Sequence, residues 1–197
     1  MKRFVFIAII CALTGLTSAY AQQNSFAIQY YMSVGMGNLG DYIGKTSFRG
    51  ASIDYRKGVT QNIGIGFTTA WNTFYERKDY GTYTSGTQSL SGVQYRYQNQ
   101  CPVLLAANYV WGIEKAFKPY VDMGVGTLYT ERSTDMGLYR LEENEWHFAV
   151  KPEVGFMYAI NPDAAFKLAV RYYNGFAAGD LESQNYLTVS TGFVFGY

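Results

Sequence analysis

From residue 25 onward, apolar and polar side chains alternate with a period of two in one segment after another. That is the pattern of strands with one face on an apolar medium. Over 25–36, Phe26, Ile28, Tyr30, Met32, Val34 and Met36 share a face, opposed by Ala27, Gln29, Tyr31, Ser33 and Gly35. The same alternation predicts strands at 50–57, 62–76, 119–131, 146–160, 164–175 and 186–197, with an eighth inside 91–111. In the last of them Leu187, Val189, Thr191, Phe193, Phe195 and Tyr197 form an aromatic-ended stripe. Pro102 interrupts the fourth strand and cannot donate to a ladder, so a bulge is expected there.

The connections alternate in length. Those at 58–61, 112–118 and 161–163 are short, while 37–49, 77–90, 132–145 and 176–185 read as long polar loops. An even number of strands with alternating turns and loops predicts an all-β, eight-stranded antiparallel up-and-down transmembrane β-barrel. A soluble lipocalin-like barrel would turn its apolar residues inward and put its charges on the opposite parity.

Composition fits the membrane version. Aromatics make up 18% of the chain, with 19 Tyr and 13 Phe, beside 21 Gly and only 4 Pro. Beyond the N-terminal segment, no apolar run nears the roughly 20 residues a membrane helix needs.

The first residues combine Lys2 and Arg3, an apolar stretch from Phe4 to Leu16, and an Ala19-Tyr20-Ala21 cleavage pattern. They are expected to be a secretory signal peptide over 1–21, leaving a barrel domain over 22–197. Cys11 follows Ile10 inside the apolar stretch, which does not suit a lipoprotein site. Losing 1–21 leaves Cys101 as the one thiol, a small apolar filler rather than half of a disulfide. It also leaves 14 of the 16 basic residues against 15 acidic ones. That near balance argues against a nucleic-acid partner.

The segments KPYVDMGVGTLY at 118–129, WHFAVKPEVGFMY at 146–158 and the terminal FVFGY resemble the small eight-stranded outer-membrane barrels of Gram-negative bacteria. That family includes the transmembrane domain of outer-membrane protein A and its X and W relatives. The resemblance implies a monomer among outer-membrane lipids and lipopolysaccharide, with a last strand read by the barrel assembly machinery. It does not specify an activity, since members include minor channels, adhesins and envelope-stabilising proteins. No peptidoglycan-binding domain is expected after the last strand.

No catalytic, cofactor or metal site is expected. A lipid A deacylase-like site needs His-x-Ser on one strand face, and the residue two after His147 is Ala149. His147 instead reads as a polar rim residue near the outer mouth. The informative residues are the inward charges Asp54, Arg56, Glu76, Arg96, Asp122, Lys151, Glu153, Lys167 and Arg171. An eight-stranded lumen is only wide enough for side chains, and buried charge must be paired. A mixed set therefore predicts an interlocking plug, whereas an ion filter would show a ring of one sign. Pairing Ile160 with Ala164 across Asn161-Pro162-Asp163 would set Glu153 opposite Arg171. A register slip of two would separate them while keeping both inside. The expected role is structural or surface-interacting, through four surface loops whose partner the sequence does not name. The alternative is a narrow channel or a lateral conduit for small hydrophobic solutes.

Overall fold

The computed structural model describes residues 24–85 and 88–196. The expected signal peptide and Tyr197 lie outside the described residues. Eight antiparallel strands close into one barrel in chain order. They are β1 (Asn24–Met36), β2 (Ser47–Gly58), β3 (Ile63–Ser85), β4 (Gln88–Val110), β5 (Phe117–Met136), β6 (Tyr139–Asn161), β7 (Ala164–Gly175) and β8 (Gln184–Phe195). Among the described residues one short helix, α1 (Asn38–Tyr42), follows β1. Closure comes from β1 against β8, in unbroken register from Phe26↔Phe195 to Met36↔Asn185. It leaves the membrane-spanning wall without the free edge that would need covering.

The alternation decides which way each strand faces. Phe26, Ile28, Ile65, Phe67, Leu105, Val125, Phe148, Val154, Phe193 and Phe195 are exposed on the outer wall. Gln29, Ser33, Ser52, Thr68, Asn72, Gln98, Gln100, Thr188 and Ser190 are buried inside it. A soluble domain would invert this arrangement. Glycine lets the strands crowd where the wall coils: a Cβ on Gly192 would lie 2.1 Å from the Ile28 carbonyl oxygen.

Three expectations change. Pro102 makes no bulge: Thr69↔Val103 and Asn72↔Gln100 keep one register on either side of it, and it sits opposite Leu128 on β5. The missing N–H leaves a gap in one ladder without inserting a residue. Second, the segments 77–90 and 132–145 are largely strand. They carry β3–β4 and β5–β6 beyond the barrel wall as hairpins, the latter closing at Met136↔Tyr139. Gly137, with φ 58, supplies the positive φ that a two-residue hairpin turn needs at its first central position. Outside the bilayer neither strand face must be apolar, so the ladder continues after the hydrophobic alternation ends. Third, the β6–β7 turn pairs Asn161, not Ile160, with Ala164. A shift between Ala159 and Asn161 then restores the expected register, with Ala159↔Ala165 and Glu153↔Arg171.

Candidate functional site

Four strands deliver seven charges to one level of the lumen. Asp54 and Arg56 come from β2, Asp122 from β5, Lys151 and Glu153 from β6, and Lys167 and Arg171 from β7. All seven are buried. Asp122↔Glu153 and Glu153↔Arg171 are register partners on adjacent strands. The β2 residues reach them across the lumen.

Asp54 Oδ2 lies 3.0 Å from Lys167 Nζ and 2.8 Å from Arg171 Nη2. It also accepts from Gln29 Nε2 at 2.5 Å. Glu153 meets Arg171 Nε at 2.9 Å, Lys151 Nζ at 2.5 Å and Lys167 Nζ at 3.3 Å. The Tyr120 hydroxyl donates to it at 2.5 Å. Asp122 is gripped by Arg56 and Lys151, both at 2.8 Å. Four cations thus share three carboxylates. The surplus N–H groups go to neutral oxygens: Arg56 donates to the Tyr55 and Phe67 carbonyls at 2.9 and 2.7 Å, and Arg171 to Ser52 Oγ at 2.8 Å. Pairs this deep are not cheap, but stranding one partner costs more than keeping both.

Apolar layers bracket the charges. Toward the long hairpins, Phe74, Leu104, Leu128, Tyr173 and Tyr186 pack with Leu39 and Ile43. The last two belong to the α1 segment, which folds down into the barrel mouth. Tyr173 and Tyr186 stack with ring centroids 4.6 Å apart. Tyr42 fastens the segment from above, donating to the Ser133 carbonyl at 3.1 Å and meeting Thr134 Oγ1 at 2.6 Å. Burial raises the Tyr42 phenol above its ordinary range, so it stays a donor. The guanidinium groups of Arg96 and Arg132 lie 4.9 and 4.2 Å from its ring centroid.

Toward the short turns, Ala27, Tyr120, Met157, Ala165, Ala169 and Val194 form a smaller cluster. Beside it a cavity of about 620 Å³ opens at the turn end and reaches up to Arg56, Asp122 and Lys167. Among the described residues, no group of three His, Cys, Asp or Glu side chains is placed to hold a metal ion.

The sequence matches the outer membrane protein beta-barrel domain over residues 9–195. The chain belongs to this family. Neisserial surface protein A has the same fold at 14% identity, with a TM-score of 0.59 over 89% of this chain and 97% of that one. So does the outer membrane protein OprG of Pseudomonas aeruginosa, at 15% identity and a TM-score of 0.54 over 88% of this chain and 95% of that one. Comparison with curated proteins gives no match.

Of the nine charges expected inside, seven meet. Glu76 and Arg96 do not join them: both sit higher, at the mouth. Glu76 pairs with Lys78 at 2.9 Å and accepts the Gly44 N–H at 2.8 Å, while Arg96 donates to the Tyr42 carbonyl and to Gln94, each at 2.8 Å. Parity gave their face but not their depth. His147 points inward and is fully buried, with Nδ1 2.8 Å from the Phe176 carbonyl. The 176–185 connection therefore covers it, and it is no open rim residue. Cys101 is half-buried on the outer wall, in register with Tyr129.

Sequence reasoning missed the α1 lid, the Tyr120–Glu153 and Gln29–Asp54 bonds, and the apolar layer that Phe74 and Leu128 help to build. Inward parity was available for Gln29, Phe74, Tyr120 and Leu128. Leu39 and Ile43 lie in a connection where no strand pattern predicts burial.

Proposed function

We propose that this barrel is a closed, non-conducting protein of the outer membrane that serves a structural and surface-interaction role. The observation carrying the reading is that the lumen charges bond to one another across the barrel, Arg171 to Asp54 and Arg56 to Asp122. A pore would leave such charges facing water or arrange them as a ring of one sign. The apolar layer and the α1 segment add a second closure toward the long hairpins, the end that faces outside in barrels of this kind. Beyond the wall, the hairpins present exposed apolar side chains, with Leu138 and Tyr139 at the β5–β6 tip and Tyr80 on β3. Such residues suit contact with another surface. In this reading residues 1–21 direct export through the periplasm and are then removed.

A narrow channel is the second reading, favoured by the cavity on the short-turn side. It requires the charge layer to part. Single-channel recording of the refolded barrel in planar bilayers separates the two. Closure predicts a baseline without discrete steps, and reproducible conductance steps would replace it with the channel.

A further inference from the structure

Where the charge layer meets the apolar layer, the lumen gathers phenols of another kind. Tyr31 on β1, Tyr173 on β7 and Tyr186 on β8 are fully buried. Their hydroxyls have no hydrogen-bond partner among the described residues. Tyr120 shows the contrast, since its hydroxyl is bonded to Glu153. A buried hydroxyl without a partner is costly, and three of them in one stretch of lumen call for an explanation.

Their placement follows from the register. Tyr173 and Tyr186 are partners on β7 and β8, with rings only 11° from parallel and centroids 4.6 Å apart. The next inward pair toward the turns is Arg171 with Thr188. Tyr31 reaches in from β1, its ring laid across Gly50 of β2, where a Cβ would clash with it. Among ionisable neighbours Tyr31 feels Tyr173 most strongly and Arg171 next, while Tyr186 feels Tyr31 and then Tyr173. The three phenols and the guanidinium therefore share one electrostatic neighbourhood.

Charge points the same way. The layer below holds four cations against three carboxylates, all buried, so one positive charge is left over. The turn-end cavity reaches Arg56 and Lys167, but Lys151 and Arg171 do not line it. Asp54 and Glu153, which meet Arg171, are each shared with Lys167 as well. Arg171 Nη1 and Nη2 donate to Ser52 and Asp54, and each nitrogen carries a second N–H. A buried charge needs a partner of opposite sign.

We propose that Tyr31, Tyr173, Tyr186 and Arg171 form a site for one small monovalent anion, about the size of chloride, that balances the surplus charge of the layer. The phenols donate to the ion, and the guanidinium supplies the attraction. A water could take some of these bonds but brings no charge, and a cation would be repelled by Arg171. Phe74 packs edge-on against Tyr186 at 5.8 Å, so the site suits an ion without an organic body. The inference does not rest on a closed lumen: a bound ion that stabilises the fold and a current through the barrel are separate measurements.

The test begins with the unaltered, refolded barrel. Urea unfolding is compared in sodium chloride, sodium bromide and sodium gluconate at equal ionic strength. A ligand that binds only the folded state lowers the unfolding constant about tenfold at ten times its Kd. Chloride and bromide should lower it by about that factor relative to gluconate. In crystals grown with bromide, an anomalous-scattering peak should lie among the three hydroxyls. The triple variant Tyr31→Phe/Tyr173→Phe/Tyr186→Phe removes only the oxygens, and it should unfold alike in all three salts with its heat-modifiable folded band kept. Equal unfolding of the unaltered barrel in halide and gluconate overturns the proposal without reference to any variant. So does the absence of bromide at the three hydroxyls. A halide effect that survives the triple variant also overturns it, because the ion would then bind elsewhere.

Discussion

Two neighbouring layers of one lumen are held by different physics. The lower layer joins Asp54, Arg56, Asp122, Lys151, Glu153, Lys167 and Arg171 through ion-pair contacts of 2.5–3.3 Å. The layer above packs Phe74, Leu104, Leu128, Tyr173 and Tyr186 beneath Leu39 and Ile43. Burial of area stabilises the upper layer in proportion to what is covered, so a lost methylene group costs a share. The charge layer works as a unit: remove one member and its partners remain buried without compensation. A barrel can thus tolerate drift in its apolar filling while depending on strand register at the charges. Register is specified there twice over, by the pleat and by the pairing.

That contrast can be broken experimentally, beginning where the effect is largest. Arg171→Gln should destabilise the refolded barrel by about 3–5 kcal/mol in urea unfolding, because Asp54 and Glu153 lose a shared partner. A cost below 1 kcal/mol would show that the layer is solvated and not interlocked. On the outer wall of the same strands, Val125→Arg or Val154→Arg should cost about 2–4 kcal/mol if these positions lie near the bilayer midplane. Accessibility labelling of single-Cys variants along 148–158 should find lipid protection at even positions and lumen burial at odd ones. The smallest effect belongs to the lid. Leu39→Ser with Ile43→Ser should lower the barrel's unfolding free energy by no more than about 1 kcal/mol, because a docked segment can detach without unfolding the barrel. Trypsin should then cut faster at the exposed Lys45.

The spanning wall was readable because lipid on one side and a filled lumen on the other impose strict period two. The Glu153↔Arg171 register followed from a short turn that left little room for alternatives, although the turn itself closes at Asn161 with a local shift. What lay outside the bilayer was less legible. The strand extensions of β3–β4 and β5–β6 lose the hydrophobic alternation, since water on both faces removes the reason for it. Glu76 and Arg96 share the parity of the buried charges but sit at the mouth, because parity records a side and not a height. The α1 lid follows no strand pattern and declares itself only by where Leu39 and Ile43 pack.

If the lumen charges act as one interlocked layer, Glu153 and Arg171 are energetically coupled, and a double-mutant cycle on that pair measures the coupling. Urea unfolding of the unaltered barrel, Glu153→Gln, Arg171→Gln and the double variant gives the coupling free of each residue's other contacts. The double variant should cost clearly less than the sum of the two single ones, by about 1–3 kcal/mol. Additivity within about 0.5 kcal/mol would mean that the two residues do not interact, and the interlocked layer would have lost the pair at its centre.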